Sequence, residues 1–339
     1  ILLKALKVGE VPLKLHLDGK LPCQGEIQPK LNIQCKGNIN VNDLNVWSKN
    51  KKNEEKFEIL ALNNSQVTGK VTINDKAVTY DAKLNVNSAK GFSKGTINYN
   101  KGFNISYGGT VPAIEKDLIN LANLKLEGLT QIKGKTWGNS SFGRIKLTAK
   151  SKNLWLEDFG LGNPSFQLLY KKGILTFREI QSYQGSSRYK GHVSINLLRK
   201  SLYINAEAPF IDYKDIDHLL GRKMKLPVKV NGTGSAKVTA DGPLAFRKLN
   251  FKINSSLYRG SIAGENFDQL FFDIEGQKGR IKTKNVQIIK AASKVQLKGF
   301  IDAKDKIDAV LLGNGLRLEQ SELMNNLGFD VGGQFDCTM

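Results

Sequence analysis

Long apolar runs are absent from this 339-residue chain: the longest, such as Ile1–Leu3 and Ala309–Leu312, are a handful of residues. A membrane-crossing helix needs about 20, so none is expected within these residues. Proline is scarce, at 8, against 33 glycines, which suits many tight strand-to-strand turns. Histidine is scarcer still. His16, His192 and His218 sit in no HExxH and have no Cys or His at ligand spacing, so no metal site is expected. Three cysteines cannot build a disulfide scaffold. Cys23 and Cys35 flank about one strand-turn-strand, which suits either a cross-strand bridge or two buried thiols, with Cys337 left odd. A single bridge would fit an oxidising compartment.

Catalytic signatures are missing too. Gly128–Thr136 has five residues between its glycines where a phosphate loop needs four, and Trp137-Gly138-Asn139 does not continue as a helix. Gly232-Thr-Gly234 lacks the third glycine of a dinucleotide fingerprint. Both stretches are expected to be turns. There is no GxSxG elbow and no carboxylate pair that stands apart from turn residues. The chain is expected to be no enzyme and to need no cofactor.

What is present is alternation. Val78–Val86 alternates apolar and polar over nine residues, and Val193–Leu197, Leu202–Ala206, Phe251–Ile253 and Val295–Lys298 repeat the pattern. Side chains in a strand alternate faces, so each segment has one apolar and one polar face. Turn signals recur at Asn100-Lys-Gly102, Lys171-Lys-Gly173, Asp241-Gly242-Pro243 and Gln277-Lys-Gly279. The fold class is therefore all-β, an antiparallel sheet wetted on one face. Three short helices are expected, in Ile114–Leu124, Tyr213–Leu220 and Glu319–Leu327, from apolar residues at three-to-four spacing. The formal charge is +20, but the basic residues spread along the chain at alternate strand positions without interleaved aromatics. That argues against nucleic acid and for a solvated outer face, with attraction to anionic membranes as the other outlet.

A repeat of about 100 residues underlies the alternation. Lys94-Gly95, Lys190-Gly191 and Lys298-Gly299 each open a strand pair followed by one of the helices, and the glycines are 96 and 108 residues apart. This divides the chain into units 1–127 (divergent, with a charged loop at 47–57), 128–227 and 228–339. Each reads as a meander of about eight strands. An apolar face that long cannot stay in water, so the sheet, of roughly thirty strands, is expected to curl into an elongated trough or open tube, apolar inside and lysine-rich outside. The chain starts at Ile1 and stops at Met339 inside an alternating run, and is expected to be a piece of a longer protein.

The cadence of Val230–Leu244, then Tyr258-Arg-Gly260-Ser-Ile262, Leu297-Lys-Gly299-Phe-Ile301-Asp302 and Leu316-Arg-Leu318 resembles the AsmA-like family of Gram-negative envelope proteins, its TamB branch in particular. The likeness covers about residues 125–339. It implies a repeating β-groove that shields phospholipid acyl chains and carries them across the periplasm between inner and outer membranes, anchored through an inner-membrane segment outside this chain. It also implies, for some members, a role in outer-membrane protein assembly with a β-barrel partner. No catalytic residues come with it. Candidates for an acyl-chain lining are Ile145, Leu147, Leu168, Tyr170, Val193, Ile195, Leu202, Ile204, Phe251, Ile253, Val286, Ile288, Val295 and Leu297, each of which could equally fill a closed core. The competing readings are a scaffold that binds strands by β-addition and an extracellular repeat stalk.

Overall fold

The structure, a computed structural model, describes residues 13–49, 56–86, 88–112, 126–139, 142–156, 159–215, 218, 229–243, 248–302, 306–322, 326 and 333–338. The chain is all-β. The described residues form 21 strands of one antiparallel sheet. Of the three expected helices, Ile114–Leu124 lies outside the described residues. The other two begin with single 3-10 turns at Tyr213–Asp215 and Leu318–Gln320, and most of their remaining residues are outside as well.

Packing divides the chain into residues 1–178 and 179–339. In the first unit the strands are β1 Leu13–Asp18, β2 Cys23–Glu26, β3 Asn32–Lys49, β4 Lys56–Asn74, β5 Ala77–Val86, β6 Ala89–Asn98, β7 Gly102–Val111, β8 Leu126–Asn139, β9 Phe142–Leu156, β10 Phe159–Gly162 and β11 Ser165–Lys171. The division falls inside β12, Ile174–Gln184. The second unit continues with β13 Ser187–Asn196, β14 Ser201–Asp212, β15 Val230–Pro243, β16 Asn250–Ile262, β17 Glu265–Gln277, β18 Arg280–Lys290, β19 Ser293–Ile301, β20 Ile307–Arg317 and β21 Gln334–Thr338. From β3 to β9, and again from β13 to β21, each strand pairs with its neighbour in sequence. β1 and β2 both lie against β3, and β10 and β11 both against β9.

The 21 strands are fewer and longer than the roughly thirty expected, because glycine pairs read as turns run straight through strands. Gly128–Thr136 lies in β8 and Gly232-Thr-Gly234 in β15. A Cβ at Gly134 would stand 2.8 Å from the Tyr107 ring, and one at Gly234 would strike the Ser256 carbonyl. These glycines serve close approach between strands. Asp241-Gly242-Pro243 likewise ends β15. Real turns do occur at Lys172-Gly173, Ala263-Gly264 and Lys278-Gly279, where both residues have positive φ, the backbone that two-residue hairpins with native twist require.

The three repeat glycines have one structural job. Gly95, Gly191 and Gly299 face Ile105, Ala206 and Ala309 in the next strand. An added Cβ would meet the Asn104 oxygen at 2.7 Å, the Asn205 oxygen at 2.8 Å and the Ala309 Cα at 2.5 Å. All three lie on the uncharged face, where an added side chain would strike the neighbouring strand. The repeat boundaries at 127/128 and 227/228 are a different partition from the packing units. The first falls inside β8 and the second outside the described residues.

At the start of the first unit Cys23 and Cys35 face each other across β2 and β3 and their sulfurs are bonded.

Candidate functional site

Strand register sorts side chains into transverse rows, and the rows sort into two chemically distinct faces. In the first unit five successive rows, from Ile33–Ile73–Val78–Ile97–Phe103 to Val41–Ser65–Val86–Ala89–Val111, carry no charged side chain. The second unit has the same arrangement. Gly191, Ala206, Val238, Ile253, Ile274, Thr283, Gly299 and Ala309 form one uncharged row.

All fourteen lining candidates fall on these uncharged faces. In the first unit Ile145 faces Tyr170 and Leu147 faces Leu168. In the second, Val193 faces Ile204 and Ile195 faces Leu202. Phe251 and Ile253 lie two strands further on, and Val286 faces Leu297 and Ile288 faces Val295. Their environments differ. Leu168, Tyr170 and Ile195 are 2%, 6% and 3% exposed and act as core, while the other eleven are half-buried. A half-buried aliphatic row is neither a sealed interior nor a bare surface.

Exposure grades across each unit. One rim of the first unit is closed by Val86, Ala89, Val111 and Leu154, with Leu126, Leu161 and Phe166 against them. The matching rim of the second is closed by Ala208, Ile211, Leu257, Phe267 and Leu270. Leu257 and Leu270 are fully buried. At the opposite rim Ile281 and Ile301 are exposed and Ile307 is 72% exposed.

Chain segments after the strands fasten the closed rim. Tyr213 packs into the second unit's cluster, with its ring 6.2 Å from Phe272. The same turn ends at Asp215, which accepts hydrogen bonds from Ser187 Oγ at 2.6 Å and Ser187 N–H at 3.1 Å. After β20, Glu322 accepts from the Asn266 side chain at 2.7 Å and backbone at 3.1 Å, and pairs with Lys290. Its own N–H donates to Glu265 at 2.9 Å. Desolvation works to raise the Glu322 pKa, but the Lys290 ammonium and its other hydrogen bonds bring it down to about 2.

The polar atoms on the apolar faces are mostly consumed internally. Tyr80 and Ser93 share a hydrogen bond of 2.9 Å, Thr136 donates to Tyr107 at 3.2 Å, and Thr130 pairs with Ser151 at 2.8 Å. Ser255, Thr283 and Ser293 donate to backbone carbonyls. Burial raises the phenol pKa of Tyr80, Tyr107 and Tyr213, so they stay neutral. Ser65 Oγ is buried without a partner. Such a face offers apolar contact and few groups that could fix a polar ligand in place.

A cleft of about 470 Å³ in the second unit is lined by Glu207, Lys237, Asn254, Asp273 and Asn285 among others. Ala208, Ala236, Ser255 and Phe272 of the apolar face also line it, so both faces contribute to the cleft. Among the described residues no cluster of His, Cys, Asp and Glu could hold a metal, and no helix is long and apolar enough to cross a membrane. His192 bonds Ser194 at 3.0 Å and lies edge-on to Tyr203, an ordinary surface role.

Sequence reasoning missed Leu257, Phe267 and Leu270. Leu257 continues the phase of Phe251 and Ile253, but the alternation then changes phase near Arg259, which has φ 50°, and again on the facing strand between Phe267 and Leu270, so only the register brings the three together. No protein-family model, curated protein or solved structure matches this chain.

Proposed function

We propose that the apolar face of each unit is a track for phospholipid acyl chains, and that the chain is part of a conduit carrying phospholipid across the periplasm between inner and outer membranes. The observation that carries this reading is the half-open, uncharged face with its hydroxyls turned on one another. Shielding is worth about 0.8 kcal/mol per buried CH₂, so a sixteen-carbon chain half covered would gain roughly 6 kcal/mol. Without directional bonds, that gain is nearly the same at every position along the track, and the lipid slides. No reacting group is needed.

The test is to purify the protein from a bacterial periplasm in mild detergent, extract it with organic solvent and identify bound lipid by mass spectrometry. Phospholipid should co-purify at several molecules per chain. Ile253→Asp and Leu297→Asp, both at half-buried positions, should strip it, whereas Asn254→Asp, on the opposite face beside Ile253, should not. A folded protein without phospholipid, or both variants retaining it, would refute the reading.

A further inference from the structure

The polar faces of the two units differ in charge, a difference visible only once register is known. In the first unit Lys36 faces Lys70, Lys70 faces Asp81, Asp81 faces Lys94, and the line continues through Ser106 to Lys135 and Lys146. Five lysines thus stand in one row across seven strands, about 29 Å at 4.8 Å per strand. All five are exposed, and none has a carboxylate within 4 Å among the described residues. The rows on either side add Lys83 and Lys133, then Arg144 and Lys171, and no acid. In the second unit the corresponding rows alternate sign: Lys190, Glu207, Lys237 and Asp273 in one, Lys252, Glu275, Lys282 and Asp308 in the next.

Blunting a sheet edge does not explain the row, because β4 to β8 are interior strands. Lys36–Lys70 and Lys135–Lys146 are directly opposed like charges, which destabilise a sheet unless a partner neutralises them. We propose that the polar face of the first unit docks on an anionic lipid bilayer, with this lysine row as its electrostatic footprint. A bilayer fits better than a nucleic acid because the face is lysine set among Thr, Asn and Gln. Only one arginine is present in these rows, and their two aromatics, Phe92 and Trp137, lie in different rows rather than in a series for bases to stack on. Phe92, exposed beside Lys83, supplies one ring for the headgroup layer. The inference is independent of the acyl-chain track, which lies on the other face.

The test is flotation of the full chain with vesicles of phosphatidylcholine alone or with 30% phosphatidylglycerol, at about 50 and 500 mM salt. Binding should require the anionic lipid and fall at high salt as the Debye length shrinks. Zwitterionic vesicles carry the same acyl chains, so this dependence separates docking from lipid uptake. Each surface lysine contributes roughly fivefold, so Lys70→Gln, Lys94→Gln and Lys135→Gln together should weaken binding about 100-fold. Lys237→Gln, Lys252→Gln and Lys282→Gln in the second unit should change it much less. Circular dichroism confirms that both variants fold. Equal binding by the row variant, an equal loss in the second-unit variant, or tighter row-dependent binding to single-stranded RNA than to anionic vesicles would each overturn the proposal.

Discussion

Glu322 should make the closed rim of the second unit sensitive to acid. Its carboxylate receives Lys290 and both nitrogens of Asn266, and holds the segment after β20 against the start of β17. Its pKa falls from 4.5 to about 2. A depressed carboxylate pKa contributes stability that is fully present above about pH 5 and is lost as pH falls towards 2. The whole shift would correspond to about 3.4 kcal/mol at 1.36 kcal/mol per unit. The carboxylate side chain is 31% exposed, so solvent screening reduces this to about 1–2 kcal/mol. Glu322→Gln keeps the shape and removes the charge, and should lose that amount at pH 7. The readout is hydrogen exchange of the peptide containing Asn266, whose N–H donates to Glu322. Exchange there should accelerate roughly 5- to 30-fold in the variant at pH 7. After correction for intrinsic rates, variant and wild type should converge between pH 5 and 2. Equal protection at pH 7, or a difference that persists at pH 2, would refute the electrostatic account of this rim.

Two further perturbations, the second with a control, test the fold. Reducing the Cys23–Cys35 bridge, or Cys35→Ser, should cost the β1–β3 edge about 3 kcal/mol from loop closure over its 12-residue separation, read as faster exchange confined to residues 13–49. Gly191→Ala should cost about 1–3 kcal/mol by overpacking against Asn205 and Ala206. Gly143→Ala, which meets nothing within 4 Å, should stay within about 0.5 kcal/mol, and thermal melts compare the pair.

The partition into two faces was legible in the sequence because alternation is a local property: Val193 and Ile195 declare their side without reference to any other strand. What crosses strands was not. Lys36 and Lys146 belong to one row only through six successive registers, each set by a separate strand pair. Phase was lost where a non-glycine residue takes a left-handed backbone, as at Asn153 in β9 and Arg259 in β16. Strand length was misjudged for a related reason. Glycine in Gly232-Thr-Gly234 answers to the strand beside it, and composition alone cannot distinguish that demand from a turn. Within the candidate site, chemistry was legible and depth was not. Ile195 and Ile204 look alike in sequence, and only the packed sheet makes the first buried and the second half-open.

Pairing between sequence neighbours has a kinetic consequence. From β3 to β9 every ladder closes on a strand that has just been made, and the same holds from β13 to β20. A chain with such local contacts need not wait for its far end before it folds. Each new strand can add to an edge already standing, so assembly can keep pace with emergence from a ribosome or a translocation pore. Within each of these two runs, the strand that covers the growing edge is the next one to arrive.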